Sequence, residues 1–324
     1  MKAWVVRKYG FPENLSIVEV AKPGIAGNEI LVKIKAVSIN DWDLSNIEGK
    51  PLINRLLAGP FRPKKQIMGC DIAGVVEAVG VSVSKFKVGD KVYGDLSSGN
   101  FGGFAEYVAV RENQICHMAE GMSFEVAAAI PQAGMLAYQA LHDFSEIREG
   151  MNILVNGAGG GVGSYVVQML KNHKVHLTGV DSEAKREFLK QLGYDAFINY
   201  QKEDFTESDI KYDIIIDCKT NRPFQRYSKK LKENGEYISI GGDLLKVIRI
   251  MLRSKQLEKK FGRKFSCVQL SANRNLPEIN QIFESGLINS IIDSKHFTFN
   301  EGRKALEYYA SGSFWGKVLI KVED

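Results

Sequence analysis

Apolar and polar residues alternate in EILVKIKAVSI, residues 29 to 39, and that period of two predicts a strand with one face buried. DIAGVVEAVG and DKVYGDL are strand-like as well, and GGFAEYVAV follows a paired-glycine turn. Residues 1 to about 120 therefore read as a mostly β domain. From about residue 123 the pattern changes to a repeating alternation of strand and helix. NILVN is a short apolar run of buried-strand type, VGSYVVQMLKN has helical spacing, and VHLTGV is again a strand. SEAKREFLKQLG predicts a helix capped by Ser182 and stopped by Gly193. DAFINY, YDIIIDC, a helix near 222 to 232 and GEYISIGG follow. Strands and helices at this spacing imply a parallel sheet covered on both faces. After about 275, LPEINQIFESG predicts a helix, and HFTFNEGRKALEYYASG leads to a last strand, GKVLIKVE.

The fold class expected is thus α/β. A β domain occupies residues 1–122, a doubly wound nucleotide-binding domain is inserted at 123–274, and residues 275–324 return to the first domain, leaving a cleft between the two parts. At 324 residues the chain exceeds the usual size of one hydrophobic core, which agrees with two domains. With 44% hydrophobic and 25% charged residues its composition is that of a soluble globular protein. The net charge of +5 argues weakly for anionic ligands and does not by itself indicate nucleic acid.

Cys70, Cys116, Cys218 and Cys267 are far apart and form no CxxC pair, so neither a disulfide framework nor a zinc knuckle is suggested. A reducing compartment is the simple reading. MKAWVVRKYG lacks the apolar run of a signal peptide, and no segment approaches the roughly 20 apolar residues of a membrane span. The expected location is the cytoplasm.

The chemistry begins at NGAGGGVG, residues 156 to 163. Counted from Gly157, the spacing GxGxxG would put its third glycine at Val162; counted from the next residue it falls on Ala158, Gly160 and Gly163. Ala158 then makes the tight turn, Gly160 lets the backbone approach a pyrophosphate, and Gly163 lets the helix pack close to the strand. Gly161 and Val162 open that helix, whose N–H groups and positive end suit the phosphates. The next strand ends at GVDSEAKR. Asp181 there is placed to accept both ribose hydroxyls of NAD, whereas Ser182, Lys185 and Arg186 suit the 2′-phosphate of NADP. Residue types leave that choice open.

Several motifs together resemble the medium-chain dehydrogenase/reductase superfamily, in its zinc-independent quinone oxidoreductase-like branch. They are SINDWD (38 to 43), MGCDIAGVVEAVG (68 to 80), FKVGDKVYG (86 to 94), GGFAEYVAV (102 to 110), AAAIPQAGMLAYQAL (127 to 141), GAGGGVG (157 to 163), FINY (197 to 200) and GKVLIKVE (316 to 323), in order over nearly the whole chain. The resemblance implies a GroES-like β domain wrapped around a Rossmann domain, and a glycine turn one residue longer than usual. It also puts Lys185 and Tyr200 at the 2′-phosphate of NADPH and Asn40 on the nicotinamide side. Asp181 departs from the small or polar residue usual at its position. NADPH is the expected cofactor, with NADH as the alternative. Relatives of this kind are often dimers, so a homodimer is implied.

Zinc-dependent relatives place a cysteine near position 40, a GHE triplet, and another cysteine at the start of the nucleotide domain. The matching residues here are Asn40 or Asp41, then Gly69, Cys70 and Asp71, then Gln132. Three good N/S ligands with an open fourth position are missing, and no zinc is expected. Without that Lewis acid, alcohol oxidation lacks a stabiliser for the alkoxide. The easier reaction is hydride delivery to an electrophilic acceptor, a quinone or the β-carbon of an enone, whose anion needs only hydrogen-bond donors and a proton. Asn40 and Asp43 are the candidate catalytic residues, Asp43 also reading as a brace for its loop. Where relatives often carry a tyrosine and an arginine, Ser45 and Ile47 stand. Trp42 and Tyr138 could line the cleft.

LLKVIRIMLRSKQLEKKFGRKF, residues 244 to 265, reads as a basic amphipathic helix. It supports a rival reading, a cofactor-binding protein of little turnover that meets a membrane or RNA through this segment. The blander reading packs its apolar face inside the nucleotide domain or at a subunit contact. PLINRLLAGPFRPKK, residues 51 to 65, could form a flap over the cleft.

Overall fold

The computed structural model describes every residue except 12, 13, 53, 323 and 324, and every described side chain except those of Asn54 and Leu57. The segments 51–65 and 316–323 each include one position outside the described residues. The chain divides into two compact units, residues 1–135 with 271–324, and residues 136–270.

In the first unit the long strand Glu29–Ser38 pairs antiparallel with Asp71–Val79 and Tyr107–Arg111, and its C-terminal half pairs with Leu319–Lys321. Ile30, Val32 and Ile34 recur at the predicted period and are buried, as are Ile72 and Val76 on the neighbouring strand. Each such side chain contributes about 1.5–3 kcal/mol by leaving water. The C-terminal segment belongs to this unit for visible reasons. Trp4 donates its indole N–H to the Phe299 carbonyl at 2.7 Å, and a Cβ at Gly302 would lie 2.4 Å from that nitrogen. Register has a further consequence: Ser38 pairs with Asp71, and Asp71 with Asp95. Three buried polar residues therefore stand side by side across three strands.

The second unit is a six-stranded parallel sheet in the order Ala196–Asn199, His176–Asp181, Asn152–Asn156, Tyr212–Asp217, Leu231–Ser239, Lys264–Cys267. This is the doubly wound order, which reverses between Asn152–Asn156 and Tyr212–Asp217. Ile153, Leu154, Val155, Ile215 and Ile216 are fully buried, as strands covered on both faces require. Tyr227 packs on Tyr237 with ring centres 4.3 Å apart, and Phe224 meets Phe265 edge-on at 5.6 Å.

One local expectation is corrected, and two expected helices are present but shorter than their segments. Ser182 does not cap a helix: Glu183–Lys185 is a 3-10 turn, the α-helix runs Arg186–Leu192, and the Ser182 side chain makes no capping bond. The Lys185 N–H, which a capping hydroxyl would accept, donates to the Ser182 carbonyl at 3.0 Å instead. The helix near 222 to 232 is Phe224–Lys230, because Leu231 already begins the next strand. The basic segment forms the helix Leu244–Phe261, kinked at Arg253; it buries Ile250 and Leu257 and exposes Leu245, Met251 and Leu252. Among the described residues no helix is long and apolar enough to cross a membrane.

Candidate functional site

The glycine turn joins the strand Asn152–Asn156 to the helix Gly161–Leu170. The left-handed residue is Gly157, at φ +89°, and not Ala158. Ala158 is fully buried; its N–H and that of Gly157 both donate to the Val180 carbonyl, at 3.2 and 3.0 Å. A Cβ at Gly163 would lie 2.3 Å from the Ala158 carbonyl oxygen, so only glycine lets helix and turn approach this closely. At Gly160 a Cβ would meet nothing nearer than 3.5 Å, leaving room for a ligand against the backbone. Gly161, Val162 and Gly163 open the helix, where first-turn N–H groups have no partner within the helix and the dipole is positive. These parts can cradle a pyrophosphate.

Asp181 closes one side of the cradle. Its Oδ2 accepts the Gly159 N–H at 2.9 Å and its Oδ1 the Ser182 N–H at 2.8 Å. The Lys185 ammonium stands 3.6 Å from Oδ1, and both side chains are nearly buried. Arg186 pairs with exposed Glu183 at 2.6 Å. Tyr200 follows the next strand and is half exposed, its N–H donating to the Asp181 carbonyl at 3.2 Å. Turn, Asp181, Ser182, Lys185 and Tyr200 thus come together within one unit. Sequence reasoning missed Gly159, where a Cβ would lie 2.6 Å from Lys185 Cδ. Tyr138, on the helix Pro131–Asp143, packs against the tilted ring of His142 at 4.1 Å.

The first unit holds Asn40 and Asp43 at the start of the helix Asp41–Glu48. Asp43 is fully buried, and its two oxygens accept the N–H of Asn40 at 2.9 Å and of Gly69 at 3.1 Å. That geometry is a brace between two loops. Burial pushes the Asp43 carboxyl up to about 6, against the opposing pull of Cys70, two backbone N–H groups and Lys317. Asp71 accepts from the Ser38 hydroxyl at 3.2 Å and from the Gln132 N–H at 3.2 and 3.3 Å. Burial raises Asp71 and Asp95 as well, with Lys317 drawing both back down. The Cys70 thiol is driven well above its ordinary range by burial and by the three carboxylates around it, so it stays protonated.

Lys317 enters this nest only 3% exposed. Its ammonium donates to Asn40 Oδ1 at 2.5 Å and to the Ile39 carbonyl at 3.2 Å, and lies 3.6 Å from Asp71 Oδ2. Neither Lys317 nor Asp95 is marked in the sequence, since a lysine before a strand ordinarily reads as solvated. The Asn40 Nδ2 is buried without a hydrogen-bond partner among the described residues. A cavity of about 270 Å³ opens in the same unit, walled by Trp42, Pro63, Met68 and Phe101, with Lys64 and Lys65 also lining it. Among the described residues no three His, Cys, Asp or Glu side chains are grouped so as to hold a metal ion.

Residues 26–120 match the alcohol dehydrogenase GroES-like domain family, and residues 192–320 the zinc-binding dehydrogenase family. A 2-methylene-furan-3-one reductase of Solanum lycopersicum is 33% identical over 99% of this chain and 79% of its own. An NADPH-dependent alkenal/one oxidoreductase of Arabidopsis thaliana chloroplasts is 30% identical over the same shares. The solved quinone oxidoreductase of Coxiella burnetii superposes with a TM-score of 0.89 at 28% identity, covering 100% of this chain and 99% of that one. The glycine turn and the β unit with its braced Asn40 loop are therefore those of an oxidoreductase, and the chain belongs to the quinone oxidoreductase-like branch of the medium-chain dehydrogenase/reductase superfamily.

Proposed function

We propose that this protein reduces quinones and activated alkenes such as enones with NADPH, without a zinc ion. The observation that carries the reading is the buried, unpartnered Nδ2 of Asn40. A donor left unmet in a protein interior costs about 1–3 kcal/mol, a cost removed when a ligand oxygen accepts from it. The relatives named for reduction of a furanone and of alkenals and alkenones support the acceptor class.

The chemistry NADPH supplies when bound is delivery of a hydride to an electrophilic carbon. Asn40 donates to a carbonyl oxygen of the acceptor or of the cofactor's carboxamide, Asp43 holds the Asn40 loop in place, and the apolar walls of the cavity receive the acceptor's carbon skeleton. The residues do not fit zinc: among the described residues no three His, Cys, Asp or Glu side chains are grouped to hold it, and the Lys317 ammonium already stands 3.6 Å from Asp71 Oδ2. Lys185 and Tyr200, with the relative that is NADPH-dependent, favour the phosphorylated cofactor. Four unbridged cysteines suit the reducing cytoplasm.

The test is parallel titration with NADPH and NADH, followed by acceptor screening with the tighter one. Oxidation of NADPH dependent on a quinone or enone supports the reading. Tight cofactor binding with no acceptor reduced overturns it.

A further inference from the structure

An ammonium has three protons and no lone pair, so an amide that faces it must present oxygen. Lys317 therefore decides which way round the Asn40 amide sits. With Oδ1 held at 2.5 Å, Nδ2 is turned to the other end of the amide. There it is buried with no hydrogen-bond partner among the described residues. Lys317 is itself fixed three ways, by Asn40, by the Ile39 carbonyl and by the Asp71 charge. Lysine is seldom buried so completely, and this one is held where its charge is matched.

We propose that Lys317 is a positioning residue for the reduction: by capturing Oδ1 it locks the Asn40 amide with Nδ2 as an obligate donor to a carbonyl oxygen. The inference rests on the hydride-transfer reading above for what that oxygen belongs to, either the acceptor or the carboxamide of the cofactor. A free amide could present either end, and half of its orientations would set oxygen against oxygen. The cation removes that half.

The experiment compares the whole protein with K317M/D71N, K317Q, K317R and N40A. K317M alone would strand a buried carboxylate, so the double variant removes both charges; K317Q keeps a polar side chain that can face either end of the amide. Folding is checked by thermal unfolding, NADPH affinity by fluorescence, and kcat and KM with menadione and cyclohexenone. K317M/D71N and K317Q are expected to lose roughly 10- to 100-fold in kcat/KM, N40A a similar factor, and their combination with N40A no more than either alone. K317R restores part of the loss. A loss in NADPH affinity assigns the oxygen to the cofactor; a loss in kcat at unchanged NADPH affinity assigns it to the acceptor. Wild-type kcat/KM in K317Q, or losses that multiply with N40A, overturns the proposal. If the wild type reduces neither acceptor, the functional reading fails, and Lys317 is judged by NMR of the Asn40 side-chain amide. That signal moves in K317Q if the proposal holds, and an unmoved signal overturns it.

Discussion

Lys185 neutralises Asp181: its ammonium lies 3.6 Å from Oδ1 while backbone N–H groups of Gly159 and Ser182 occupy the two carboxylate oxygens. The carboxylate that by residue type would favour NAD is thus turned inward to hold the glycine turn. Its negative charge is offset by a lysine anchored beside it, an arrangement that suits the NADPH proposed above. K185M is expected to weaken NADPH binding by roughly 10- to 100-fold, in line with about 1.5–3 kcal/mol for a charged hydrogen bond, and NADH binding by much less. Titration of both cofactors checks this. Equal losses, or tighter NADH binding by the wild type, would show that Asp181 rules the site.

Gly163 is a packing requirement. A methyl group there would lie 2.3 Å from the Ala158 carbonyl oxygen, which is backbone and cannot swing aside. G163A should therefore push the helix Gly161–Leu170 off the turn, at a cost of about 1–3 kcal/mol typical of overpacking. A fall in thermal midpoint together with weakened cofactor binding is the expected result. Unchanged stability would mean that the helix does not pack this closely.

Asp43 gives the protein a pH dependence whose sign follows from its burial. Its carboxyl is raised from 3.8 to about 6, so between those values the folded chain binds the proton that the unfolded chain has released. Stability from this group is full below the unfolded value, falls as pH rises through that window, and is level above it, the total being at most about 3 kcal/mol. D43N loses one acceptor for the N–H groups of Asn40 and Gly69, a constant offset, but has no titration. The stability difference, wild type minus D43N, should shrink as pH rises from about 4 to about 6. Urea unfolding across that range checks it, and a difference that grows with pH is the contrary result.

The strands were legible because burial writes its period into the sequence: Ile30, Val32 and Ile34 alternate, and Ile153, Leu154 and Val155 run together where both faces are covered. The glycine turn was legible as a motif, though its torsion lies at Gly157 and the need for Gly159 comes from Lys185, a contact made only by folding. The polar nest was hidden for the same reason. Ser38, Asp71 and Asp95 share a level only through strand register, which one chain does not declare, and Lys317 joins them from more than two hundred residues away along the sequence. Ser182 misled because the Lys185 N–H that its hydroxyl would have capped goes instead to the Ser182 carbonyl, in a 3-10 turn.

The cavity beside Trp42 and Phe101 sets the last expectation. Its walls include Met68, next to the Gly69 that donates to Asp43, and Trp42, next to Asp43 itself, so an apolar acceptor lodged there reaches the braced Asn40 loop. Phe101 adopts a positive φ of 56°, a costly conformation for a bulky residue that its side chain packing must sustain. Removing the ring takes away apolar contact without touching the glycine turn. F101A should raise KM for menadione by about 10-fold or more, from roughly 1.5–3 kcal/mol of lost burial, and leave the dissociation constant of NADPH within about twofold. W42A should act in the same direction and less strongly, since Trp42 is 44% exposed. Steady-state kinetics with parallel cofactor titration separates the two quantities: a rise in the NADPH constant with no change in KM would move the acceptor out of this cavity.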